Sequence, residues 1–64
     1  MSADNYTIIK PKGDKYVLVY GVASNDYQRE IGVYETLEEA VEANNNEYSD
    51  TEYGLKIVTK REVA

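Results

Sequence analysis

Between Glu30 and Leu55 lie eight carboxylates, Glu30, Glu35, Glu38, Glu39, Glu42, Glu47, Asp50 and Glu52, with no lysine or arginine among them, a local charge of −8. The rest of the chain carries seven bases and four acids, or +3, so a protein of net charge −5 is electrically two-sided. Crowded carboxylates such as Glu35, Glu38, Glu39 and Glu42 are raw material for general acid/base pairs. A catalytic dyad needs a desolvated cleft, and a single-helix domain of 64 residues has little material to build one. Exposed glutamates early in a helix also suit its positive end and keep a small domain soluble, which is the plainer reading. Asp50 and Glu52 lack the glycine and terminal glutamate of an EF-hand loop, which weakens a calcium reading of them.

The chain has no cysteine and no histidine. Disulfides and thiolate zinc sites are thereby excluded, and the commonest general base and metal ligand is missing. With no recognisable nucleophile, base or cofactor cradle, the chain is read as a non-enzyme with no catalytic, metal or cofactor residues. Carboxylates on a rigid scaffold have another use. They can occupy a cationic groove meant for nucleic acid and gain association rate from electrostatic steering. Glu35, Glu38, Glu39, Glu42, Asp50 and Glu52 are the candidates for that role.

Seven tyrosines with neither phenylalanine nor tryptophan form the second unusual feature. Tyrosine presents a large rigid face with one polar tip, a combination enriched in binding hot spots. Tyr16, Tyr20 and Tyr27 are the candidates here. Tyrosines interleaved with bases can stack nucleobases, but Lys10, Lys12 and Lys15 cluster near one turn and acids dominate elsewhere. The charge balance therefore argues against nucleic acid as the direct partner.

These residues need elements to position them. Tyr6–Lys10 has the β-branched and aromatic content of a strand, and Pro11-Lys12-Gly13-Asp14 supplies turn residues. Lys15–Ala23 is apolar enough to be the central strand. Ser24-Asn25-Asp26 should reverse the chain before a strand over Gln28–Tyr34, with Ile31 and Val33 on one face and Gly32 and Tyr34 on the other. Thr36-Leu37-Glu38-Glu39 fits a capping box, so a helix starts at Leu37. Leu37, Ala40, Val41, Asn44 and Tyr48 fall on its buried stripe, while Glu38, Glu39, Glu42 and Asn45 face away. Asn44-Asn45-Asn46 should fray the last turn. Ser49–Glu52 is a loop, and Tyr53–Thr59 closes the fold as a strand.

The reading is a single α+β domain over residues 1–64, a small, mainly antiparallel sheet of three to four strands with one helix on one face, in the order β-β-β-α-β. Two strand orders fit. In 3-2-1-4 the last strand runs parallel to the first; in 3-2-4 the last strand displaces the first and the core is antiparallel throughout, and this second order is favoured. Tyr16, Leu18 and Tyr20 share one face of the central strand and Val17, Val19 and Gly21 the other. The smaller face suits the thin helix stripe, which would leave the tyrosines looking outward. No apolar run is long enough to span a membrane and no signal peptide is recognisable, so the expectation is a cytoplasmic protein.

Two resemblances follow from particular residues. The opening Met1-Ser2-Ala3-Asp4-Asn5, with the Thr-x-x-Glu-Ala helix start at Thr36–Ala40, resembles a set of small proteins from phages and their hosts, across about half the chain; it implies provenance. The stretch from Glu30 to Lys60, with Val33-Tyr34, Glu35-Thr36-Leu37-Glu38-Glu39-Ala40, Tyr48 and the strand Gly54–Val58, is similar in order and spacing to the short coliphage RNA polymerase inhibitor family. That likeness implies a hairpin, helix and strand scaffold that grips the jaw of the host enzyme with help from arginines, of which this chain has fewer, Arg61 lying just past the matching strand.

Together these readings give a small acidic phage or mobile-element protein that binds and inhibits a host or defence protein with a basic surface, of the anti-CRISPR or RNA polymerase inhibitor type and acting in the host cytoplasm. It would need no cofactor, membrane or direct nucleic-acid contact. The alternative is a homo-oligomeric structural or housekeeping module, such as a homodimer joined through an outward tyrosine face.

Overall fold

A computed structural model describes residues 4–58 of the chain. It comprises β1 (Asn5–Lys12), β2 (Lys15–Val22), a 3-10 turn (Ala23–Asn25), β3 (Tyr27–Tyr34), α1 (Leu37–Glu47) and β4 (Leu55–Ile57). The β-β-β-α-β order and the α+β class are as the sequence predicts. The predicted end of the last strand, Thr59, lies outside the described residues.

The first reversal is a two-residue loop, Gly13-Asp14, between paired Lys12 and Lys15. Gly13 takes a positive φ of 64° and Asp14 does not, the pattern of the type II′ turn that matches strand twist. Pro11 is therefore a strand residue paired with Tyr16, not part of the turn as predicted. At the second reversal Asp26 adopts the left-handed conformation, φ 59°, and the Tyr27 amide donates to Asn25 Oδ1 at 3.2 Å. Short polar side chains tolerate and brace such geometry.

The four strands form one sheet in the order β3-β2-β1-β4. β1 pairs antiparallel with β2, and β2 with β3, but β1 and β4 are parallel, with Thr7 opposite Leu55 and Ile9 opposite Ile57. The sheet is mixed, and the fully antiparallel 3-2-4 core is not adopted. The reason is topological. β3 and β4 run in the same direction on opposite edges, so the connection between them must cross β2 and β1, and α1 makes that crossing on one face. The shortest dimension of the molecule, 15 Å, accommodates one helix layer on one sheet.

The helix lies on the face opposite to the one expected. Ile9, Leu18 and Ala40 form the buried centre, with Tyr16, Ile31, Tyr34, Leu37, Val41, Ala43 and Leu55 packed around it. Tyr16 and Leu18 thus point towards α1. Val17 and Val19, on the uncovered face, are nevertheless only 1% and 4% exposed. Their cover comes from long neighbours on that face. Lys12 extends to Glu30 at 3.2 Å, and Tyr6 lies over Gly21 so closely that any side chain at 21 would collide with its ring. Tyr6 is fixed there by Gln28, whose Nε2 donates to the phenol oxygen at 3.1 Å.

In β3 the register slips between Leu18 and Val19, which pair with Gly32 and Glu30. Ile31 is the extra residue of this bulge, and it packs with Tyr34 on the helix side. Val33 instead faces away and is 48% exposed. The predicted pairing of Ile31 with Val33 on one face is therefore corrected: a bulge resets the two-residue alternation.

Candidate protein-binding surface

Thr36 Oγ accepts from the Glu39 amide at 3.1 Å and starts the helix as the capping pattern requires. The Glu39 carboxylate reaches back one residue further than a standard capping box, accepting from the Glu35 amide at 3.2 Å. The far end of α1 is held differently. Asn44 is buried and accepts from the Thr7 hydroxyl at 2.7 Å, tying the helix to β1. The asparagine run consequently lies inside the helix, which continues to Glu47. The Tyr48 amide closes it on the Asn44 carbonyl at 2.7 Å.

With Ala40 and Asn44 buried and Leu37, Val41 and Ala43 half-buried, Glu38, Glu39 and Glu42 are left exposed on the outer side of α1. Positions three and four apart on a helix are surface neighbours, about 5–6 Å between Cβ atoms, so these three make one acidic stripe. Glu47 is exposed at the helix end, off the line of that stripe, and Asp50 and Glu52 are exposed in the following loop. The loop is anchored, since the Glu52 amide donates to Asn5 Oδ1 at 2.7 Å and the Tyr53 amide to the Asn5 carbonyl at 2.9 Å. Thr51 Oγ in this loop is buried with no hydrogen-bond partner among the described residues.

Two of the eight carboxylates are neutralised internally. Glu30 pairs with Lys12 at 3.2 Å and Glu35 with Lys15 at 2.8 Å. Glu35 thus stands apart from the other helix-end candidates. Its contact holds the Lys15 ammonium above the ordinary lysine value, first by the hydrogen bond and then by charge attraction. Glu38, Glu39, Glu42, Glu47, Asp50 and Glu52 form no ion pair among the described residues. Lys10 and Lys56 alternate with Ile9, Leu55 and Ile57 along their strands, which puts them on the sheet face away from the helix. Lys10 and Lys56 therefore lie across the sheet from the helix glutamates, while Arg29, paired across from Tyr20, is on the helix side.

The tyrosines divide. Tyr16 is half-buried against the core and belongs to it, which corrects the expectation of an outward tyrosine face. Tyr20 also points to the helix side, but at the far end of the strand. It meets Tyr48 at 5.4 Å between ring centroids and Tyr27 edge-on at 6.5 Å. Asn5 Nδ2 donates to the Tyr20 hydroxyl at 3.3 Å, linking this trio to the loop that carries Glu52. Tyr27 is 43% exposed. Tyr48, read from sequence only as a stripe residue, and Tyr53, read only as a strand residue, join the surface. Tyr53 is 64% exposed and donates to Asp4 Oδ1 at 3.1 Å, a bond that keeps its phenol protonated above the ordinary tyrosine value.

The structure thus leaves Glu38, Glu39 and Glu42 exposed on the outer side of α1, Asp50 and Glu52 exposed in the loop after it, and Tyr20 and Tyr27 on the helix side of the sheet, while Tyr16 on that same side is packed into the core. Among the described residues there is no pocket and no cluster of three or more metal-ligating side chains, and no helix is long and apolar enough to cross a membrane. Comparison with protein families, curated proteins and solved structures finds no match.

Proposed function

We propose that this protein binds a positively charged surface of another protein and blocks it, the covered surface being one that otherwise holds nucleic acid. A phage or mobile-element inhibitor of a host nucleic-acid-handling protein, of the anti-CRISPR or RNA polymerase inhibitor kind, is the biological setting that fits this chemistry. The observation carrying the reading is that Glu38, Glu39, Glu42, Glu47, Asp50 and Glu52 are all exposed and form no ion pair among the described residues, while Lys10 and Lys56 lie on the sheet face away from the helix. The scaffold supports it. A capped helix locked to β1 by Thr7 and Asn44 presents its carboxylates at fixed spacing, and prepaid ordering favours affinity.

Immobilised protein exposed to bacterial lysate at low salt, then eluted by a salt gradient, tests the reading. Retention of a nucleic-acid-handling protein whose release tracks ionic strength is expected. Retention of none, or release indifferent to salt, contradicts it.

A further inference from the structure

We infer that the tyrosine trio at the C-terminal end of α1 is the anchor point of this surface and receives a guanidinium group, an arginine side chain of the partner. The inference deepens the proposed function and rests on it for the partner's being basic. Three observations converge on this spot. Tyr20, Tyr27 and Tyr48 are in ring contact, with Tyr27 exposed, and aromatic faces attract cations, arginine most often. Exposed acidic residues lie close by in the chain. Glu47 immediately precedes Tyr48 and Glu52 follows it by four residues, with the Glu52 backbone amide held by Asn5, whose Nδ2 donates to the Tyr20 hydroxyl. The end of α1 carries no basic residue in its last turn, so the partial negative charge of its terminal carbonyls is not offset there.

Arginine fits better than lysine because a planar guanidinium can stack on a ring while its fork of donors reaches a carboxylate. The chain's own Arg29 is the natural control. It pairs across from Tyr20 on the same face, is exposed, and forms no ion pair among the described residues. As a like charge at the rim it should oppose an incoming cation.

The probe is a short blocked peptide, Arg-Gly-Arg amide, titrated into the full chain while tyrosine ring and backbone amide resonances are followed. Peptides with lysine or the neutral isostere citrulline replace it as comparisons. Saturable shifts of the Tyr20, Tyr27 and Tyr48 rings are expected, strongest for arginine. Tyr27→Leu should weaken binding about three-fold, the size of an exposed cation–π contact, and Arg29→Gln should strengthen it. Amide shifts unchanged away from position 27 verify that the variant is folded. Equal shifts with citrulline, or arginine-induced shifts confined to Glu38, Glu39 and Glu42, overturn the inference. The second outcome leaves the acidic-surface reading intact, whereas loss of salt-dependent capture from lysate overturns that reading separately.

Discussion

The hydroxyl of Thr7 and the amide of Asn44 are each desolvated by the helix–sheet contact, and each is satisfied by the other. Removing one partner leaves a buried group unpaired. Asn44→Ala should therefore cost about 1–3 kcal/mol, while Thr7→Val combined with Asn44→Leu, which removes both polar groups, should cost less than the two single changes added together. Denaturant unfolding of the four proteins in the cycle measures this coupling. A second residue-scale prediction concerns alkaline pH. Tyr53 and Lys15 both have folded-state values raised above their ordinary ones, Tyr53 by its bond to Asp4 and Lys15 by Glu35. For a raised value the stabilising contribution is complete below the unfolded value and is lost as pH climbs through the folded one. Stability should thus fall above the ordinary tyrosine value of 10.0 and lysine value of 10.5. In ultraviolet titration Tyr53→Phe should remove a phenol that ionises above the ordinary tyrosine value.

At the scale of elements, the helix depends on its cap more than on its own residues, three of which are consecutive asparagines. Thr36→Ala should lower stability by about 1 kcal/mol, read as a shift of the denaturation midpoint with unchanged slope. Glu38→Gln, Glu39→Gln and Glu42→Gln together should retain the fold, since all three side chains are exposed, and should weaken partner binding. Circular dichroism and a binding isotherm separate the two effects.

Local chemistry explains what was legible in the sequence and what was not. Gly13 in a short polar loop and Thr36 three residues before Glu39 announce a turn and a helix start by themselves. The face covered by the helix could not be read from β2, because Val17 and Val19 are as apolar as Leu18 and are buried too. The long side chains that cover them come from other strands. The extra residue at Ile31 leaves no mark in the local sequence, yet it reverses which face that side chain takes. Asn44 looks like a helix breaker until Thr7, 37 residues away, supplies its partner. Among site residues, the exposed glutamates follow directly from helical spacing. The tyrosine trio did not, because it joins β2, β3 and the helix end only in three dimensions.

For the whole molecule, a helix-side cluster of three buried residues, Ile9, Leu18 and Ala40, with Val17 and Val19 buried on the other face, has little reserve among the described residues. Leu18→Ala removes one of its two largest aliphatic side chains, and a loss of about 2–5 kcal/mol against the modest stability of small domains should leave much of the chain unfolded at physiological temperature. Calorimetry would show this as a collapsed or missing transition. The same small scaffold puts the sheet between Lys10 and Lys56 on one side and the stripe of helix glutamates on the other. If that stripe substitutes for a phosphate backbone, its binding must compete with nucleic acid for the same surface. The most direct test is competition on the protein captured from lysate, with that protein's own nucleic-acid ligand titrated against the bound chain. Mutually exclusive binding, weakened by the triple glutamine variant, is the predicted result; a stable ternary complex containing both would contradict the account.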